Sequence, residues 1–290
     1  MITYKSDRFF QFINGLFLAV ISVSMVAPLV HLLAVSLSSP KYADAKLVGF
    51  WPKEMHFGVY REIFQLESLW RALGVSVYIC VVGTLLFLLF TTSFGYALSR
   101  SIMPGRKIVL RLVLVTLVFS AGLIPNYMVI KAIGFENTLW ALMVPSALSA
   151  FYVIIMKTFF QGISSELFDS AKIDGAGEFR IYSQISIPLS VPILATLSLY
   201  NVVSLWNSYF NALIFIRDKK LFPLQVVLRS LIVSDDTQAY GSNAADIAMV
   251  ATPEMMKAGI ILFATVPILL VYPFIQKYFV QGTMLGSLKE

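Results

Sequence analysis

Charged residues bracket six long apolar tracts along this chain. Phe9–Pro40, Ala72–Ser99, Leu112–Ile130, Asn137–Met156, Ile181–Ile216 and Ala258–Gln276 each run for 19 residues or more without Asp, Glu, Lys or Arg. About 20 apolar residues in a helix cross the roughly 30 Å hydrocarbon core of a bilayer. The tracts predict an all-α membrane protein with six transmembrane helices, at about 12–37, 72–98, 110–130, 138–157, 189–214 and 258–278. The first and fifth tracts exceed one crossing, so their ends protrude or tilt.

Lys5 and Arg8 precede the first tract as a signal peptide's basic region would. The tract is far longer than an h-region of about 7–15 residues, so it reads as an uncleaved first span entered from the cytoplasm. Six spans then return the C-terminus to the cytoplasm. The 22 basic residues divide evenly, 11 on each side. The short loops discriminate, and short loops are where positive charge sets orientation. Arg100–Arg111, internal, holds four basic residues and Lys131–Glu136, external, holds one.

Composition agrees. The chain is 58% hydrophobic and 13% charged, against about 25% charged in soluble domains. The net charge of +6 is scattered over loops, with no basic stripe interleaved with aromatics, which argues against nucleic-acid binding. It suits anionic lipid headgroups instead. Cys80 is the only cysteine and lies in an apolar tract, so it forms no internal disulfide and reads as a small buried side chain.

Three loops are long. The external loop 38–71 carries Trp51-Pro52 and an amphipathic stretch of Val59, Ile63, Phe64 and Leu66. The external loop 217–257 carries Leu221-Phe222-Pro223-Leu224 and the acidic, small-residue tract Asp235–Asp246. The internal loop 158–188 is the most informative.

In that loop a short helix starts after Ser164 or Ser165, with Glu166 and Asp169 in its first turn. Acidic residues there suit the positive end of the helix dipole. It ends at Gly175, and Asp174 is placed to cap a second helix through Phe179, Tyr182 and Ile185. Gly175 and Gly177 permit the sharp turn. Pro188 and Pro192 lie where the chain joins the fifth span. On physics alone this is either a stiff knob presented to a partner or a solvated interfacial hairpin.

The stretch Asp169-Ser170-Ala171, two residues, Asp174-Gly175-Ala176, then Phe179, Ile185, Ile187-Pro188 and Pro192 resembles the Glu-Ala-Ala loop of ATP-binding-cassette (ABC) importer permeases. Tyr272-Pro273-Phe274, Gln276–Phe279 and the tail 282–289 are similar to the carbohydrate-importing, maltose-permease-like branch. So are Trp51-Pro52 and Phe222-Pro223-Leu224-Gln225. Asp169 and Ser170 stand where the family has Glu and Ala, and Asp reaches one methylene less far.

The resemblance implies a type I ABC importer permease architecture in a bacterial cytoplasmic membrane, with a cytoplasmic coupling-helix loop. Its coupling residues would be Glu166, Asp169, Ser170, Ala171, Asp174, Gly175 and Ala176. Asp169 would face an ATPase, Ala171 would pack closely, and Gly175 would let the helix turn. The partners implied are two cytoplasmic ATPase subunits that bind ATP and Mg, a homologous second permease chain, an extracytoplasmic solute-binding protein, and carbohydrate as substrate. The chain has no phosphate-binding Gly-x-x-x-x-Gly-Lys-Ser/Thr loop, so it is read as a transport subunit with no cofactor of its own, not an enzyme.

The fifth tract carries Asn201, Trp206, Asn207, Tyr209 and Asn211. Polar side chains at membrane depth face a cavity or a partner helix. Asn and Tyr can bond sugar hydroxyls and Trp offers a ring an apolar face, while the alternative is helix–helix hydrogen bonding. His31 reads as an interhelical hydrogen-bonding residue, since a metal site needs companions. An integral membrane enzyme would need paired carboxylates or a His cluster, and no carboxylate lies in any tract. A secondary transporter would want an intramembrane ionisable residue and internal repeats. The substrate expectation is oligosaccharide, with alginate- or pectin-derived acidic sugars among the candidates.

Overall fold

The computed structural model describes residues 5–119, 121–233 and 252–287, and the side chains of residues 9–270 among them. The acidic tract Asp235–Asp246 lies outside the described residues, and the side chains of Tyr272–Phe279 and the tail lie outside the described side chains. Among the described residues every regular element is helical.

Among the described residues three helices are long and apolar enough to cross a membrane: α1 (Lys5–Ser36), α4 (Glu67–Ser99) and the last helix, Pro253–Ser287. Glu178–Leu189 and Val191–Trp206, bent by 78° about Ser190, are long and apolar enough only when taken together, either as one broken span or as a re-entrant loop. The other expected spans are interrupted. The third consists of α5 (Arg106–Val118) and α6 (Leu123–Ala132), separated where Phe119 and Gly122 turn extended. Pro125 falls in the first turn of α6, where its missing N–H costs nothing. The fourth consists of α7 (Trp140–Met143) and α8 (Ala150–Gln161). Pro145 between them lacks the donor that would continue α7. The fifth consists of α12 (Val191–Trp206) and α13 (Tyr209–Phe215), broken at Asn207 and Ser208. Unbroken hydropathy does not report these breaks, because it counts apolar residues and not helix continuity.

The chain falls into two compact units. One comprises Met1–Trp70 with Leu228–Ile268, the other Arg71–Val227 with Leu269–Glu290. In the first unit, α2 (Pro40–Asp44) and α3 (Gly58–Gln65) follow α1. The amphipathic stretch is α3: Val59 and Ile63 are buried, and Phe64 stacks on Trp70 with ring centres 5.9 Å apart. Phe263 meets the Trp70 ring edge-on at 5.4 Å. His31 bonds a loop and not a helix, its Nδ1 lying 2.9 Å from the Gly49 carbonyl.

In the second unit, Phe87, Tyr96, Met156, Phe160, Phe168, Ala171, Ile181 and Leu197 form one buried cluster. α4 and α8 approach closely at Gly95, where an added Cβ would lie 2.9 Å from Met156 Cβ and 3.2 Å from the Lys157 nitrogen. This packing places the hairpin between α8 and α12.

Candidate functional site

The hairpin begins with α9, Ser165–Ile173. Ser164 caps it, its hydroxyl accepting from the Glu166 N–H at 3.3 Å. Capping satisfies one of the orphan donors at the helix start, and Glu166 sits in the first turn. The inner face buries Phe168 and Ala171. Glu166, Asp169, Ser170 and Ile173 recur at helical spacing on the other face and are exposed, with Ile173 87% accessible.

α9 ends in a Schellman turn. Ala176 N–H donates to the Ala171 carbonyl at 2.9 Å, and Gly175 N–H to the Lys172 carbonyl at 3.0 Å. This closure puts Gly175 in the left-handed region at φ 78°, where Gly carries no Cβ penalty. A Cβ there would meet nothing within 4 Å, so the demand for glycine is conformational. Asp174 is the C-cap of α9 and does not cap the second helix. An N-cap needs extended backbone. Asp174 has φ −71° and ψ 5°, whereas Gly177, at φ −74° and ψ 165°, is extended and leads into α10 (Glu178–Ile181).

α10 runs on through a π-helical turn, Tyr182–Ser186, into α11 (Ile187–Leu189). After Ser190 the axis bends by 78° into α12.

One residue that sequence reasoning missed organises the site. Glu178 accepts from Tyr96 Oη at 2.7 Å and Arg100 Nε at 3.2 Å, both near the end of α4, and pairs with Lys172 of α9 at 3.3 Å. Burial pushes its carboxyl up, but the bonds from Tyr96, Arg100 and Lys172 outweigh that and hold it below the usual carboxylate range. The Arg100 guanidinium also lies 4.4 Å from the centre of the Phe168 ring, a cation–π contact. Arg100 and Glu178 stand 78 positions apart, so nothing local announces the pair. In the sequence Arg100 registers only as one basic residue of a short loop.

The fifth-tract residues separate into two groups. Asn201 is buried and accepts from Thr84 Oγ1 at 3.1 Å, a bond between α12 and α4. Trp206, Asn207, Tyr209 and Asn211 surround the α12–α13 break. Asn207 and Asn211 are exposed, and Asn207 Nδ2 donates to the Val203 carbonyl of its own helix. Trp206 Nε1 and Ser208 Oγ are buried without a hydrogen-bond partner among the described residues. Polar atoms so placed are uncommon in folded proteins.

Comparison with known proteins shows what the chain as a whole is similar to. No family model matches the chain. Protein LplC of Bacillus subtilis (strain 168) is 38% identical over 286 residues, covering 98% of this chain and 96% of LplC. The polygalacturonan/rhamnogalacturonan transport system permease protein YtcP of the same organism is 36% identical over 283 residues, covering 98% of this chain and 99% of YtcP. A crystal structure of a bacterial ABC transporter involved in the import of the acidic polysaccharide alginate superposes with a TM-score of 0.88 at 29% identity, over 96% of this chain and 99% of that chain. The fold is that of an ABC importer permease. The chain belongs to the carbohydrate-transport permeases of ABC importers, which are multi-pass proteins of the bacterial inner membrane.

Proposed function

We propose that this permease carries oligosaccharides derived from acidic polysaccharides, and that the α9 hairpin couples transport to an ATPase. The observation that carries the coupling reading is the hairpin itself: a capped helix with one face buried and an exposed face of Glu166, Asp169, Ser170 and Ile173. Asp174, Gly175 and Ala176 form its rigid closure, with Ala171 packed beneath. Such a face suits a groove on a cytoplasmic ATPase pair that binds ATP and Mg. Closure of that pair would push α9 and so switch the permease between inward and outward access.

On this reading residues 1–290 form one transmembrane domain of six spans, with both termini cytoplasmic. A homologous second permease chain completes the pathway, and an extracytoplasmic solute-binding protein delivers sugar to the loops at 38–71 and 217–257. YtcP, a polygalacturonan/rhamnogalacturonan transport permease, and the alginate importer support the acidic-sugar class. A further structure pairs a bacterial alginate ABC transporter with an alginate pentasaccharide-bound periplasmic protein; its likeness, a TM-score of 0.51 at 16% identity, is one of fold alone.

For the sugar path we propose the α12–α13 break. Non-helical backbone at membrane depth is tolerated where it is buried in protein or lines a cavity. Asn207, Tyr209 and Asn211 would offer hydrogen bonds there and Trp206 a ring face. Asn201, already bonded to Thr84, would support the break.

The test is reconstitution of the complete transporter. Ser170→Cys, placed on the exposed face of α9, should cross-link to the ATPase, and ATP-dependent uptake of an oligogalacturonide mixture should exceed uptake of neutral maltooligosaccharides. Absence of the cross-link defeats the coupling reading. Equal uptake of both sugar classes defeats the acidic-sugar reading.

A further inference from the structure

Thr92 and Tyr96 of α4, and Arg100 just past its end, lie at four-residue intervals. Glu178 and Tyr182 repeat the same interval on the segment that leaves the hairpin. The two rows meet in rungs. Tyr182 Oη lies 2.7 Å from Thr92 Oγ1 and 3.3 Å from Ser93 Oγ. Glu178 takes Tyr96 at 2.7 Å and Arg100 at 3.2 Å, and the Tyr96 and Tyr182 rings sit 5.2 Å apart between the rungs.

The second rung also reaches the hairpin's first helix. Lys172 of α9 pairs with the same Glu178 carboxylate at 3.3 Å, and Arg100 covers the buried Phe168 ring of α9. One carboxylate therefore joins both arms of the hairpin to α4. Charge-assisted bonds are roughly twice as strong as neutral ones. Removing this charge would leave Arg100 and Lys172 as neighbouring cations with no anion between them. Beyond the rungs the chain turns its 78° corner at Ser190.

We infer that Glu178 is the positioning residue that fastens the coupling hairpin to α4, so that a displacement of α9 is delivered first to α4. The inference rests on the proposed coupling role of α9, and its test is separable from that role. In the assembled transporter, with Cys80→Ala as background, spin labels at Ser170→Cys in α9 and Leu89→Cys in α4 report the α9–α4 distance. That distance should be the same, and narrow, in the ADP and ATP–vanadate states. Glu178→Gln should broaden it and make it shift between the states, and Glu178→Asp, which keeps the charge, should restore invariance.

A distance that shifts between states with Glu178 intact overturns the inference, whatever the variants do, so the result does not depend on their folding. So does a distance that stays invariant in Glu178→Gln. Either result leaves the coupling role standing where Ser170→Cys still cross-links to the ATPase. Loss of that cross-link with Glu178 intact removes the coupling role instead.

Discussion

Arg217 donates through Nη2 to Glu136 Oε1 at 2.6 Å across 81 positions of sequence. Tyr127 donates to the same oxygen at 2.6 Å, and its ring stacks on Phe215 with centres 6.0 Å apart. Beside them the Asn137 side-chain oxygen accepts from the backbone N–H groups of Arg217 at 2.9 Å and Asp218 at 2.8 Å. These bonds tie the loop after α6 to the segment after α13.

This tie is pH-dependent. The Tyr127 bond, against a smaller burial penalty, together with the Arg217 and Lys131 charges holds the Glu136 carboxyl below the usual carboxylate range. A carboxyl whose pKa is lower folded than unfolded adds stability above its unfolded pKa. That stability is lost as pH falls through the folded value. Thermal unfolding in detergent should therefore favour the unaltered chain over Glu136→Gln at pH 7, and the gap should close below about pH 4. A gap constant from pH 7 to pH 3 refutes this.

At Gly175 the cost of substitution should follow backbone conformation and not side-chain size. The site is open but left-handed, so Gly175→Ala and Gly175→Leu should each destabilise by about 1–2 kcal/mol. Gly175→Asn should cost less, because Asn visits this region more readily. Denaturant unfolding of the purified chain checks the order. A Leu variant much worse than Ala would mean that space, not conformation, is limiting.

Gly95 and Gly83 should rank differently. A Cβ on Gly95 meets Met156 Cβ and the backbone of Lys157, whereas one on Gly83 lies 2.7 Å from the tip of the Leu205 side chain. Backbone yields less than a rotamer, and overpacking costs roughly 1–3 kcal/mol. Gly95→Ala should therefore lower the melting temperature more than Gly83→Ala. Equal losses would place the two contacts on the same footing.

The Thr84–Asn201 bond should behave as an interhelical tie. Thr84→Val should cost about 0.6 kcal/mol, and following it with Asn201→Leu should add less than Asn201→Leu costs alone, because the partner is already gone. A double-mutant cycle with no coupling would free Asn201 for another role.

Local chemistry was legible in the sequence and distant pairing was not. Ser164, Glu166 and Gly175 carry their signals within a few residues, and α9 starts and stops where they indicate. The unbroken apolar tracts hid the interruptions at Gly122, Pro145 and Asn207. Asp174 misled because a carboxylate before a helix resembles a cap, while its backbone was already committed to closing α9. Glu178 escaped notice because its worth depends on residues from α4 and α9 that only folding brings to it.

The corner at Ser190 has a mechanical meaning. Two rods meeting at 78° form a bell crank: a displacement along one axis projects on the other by only roughly one fifth. A thrust travelling up α10 and α11 would thus reach α12 almost entirely as a sideways swing. The far end of that swing is the Asn207–Ser208 break, so a small stroke below would carry the break sideways without sliding α12 along its length.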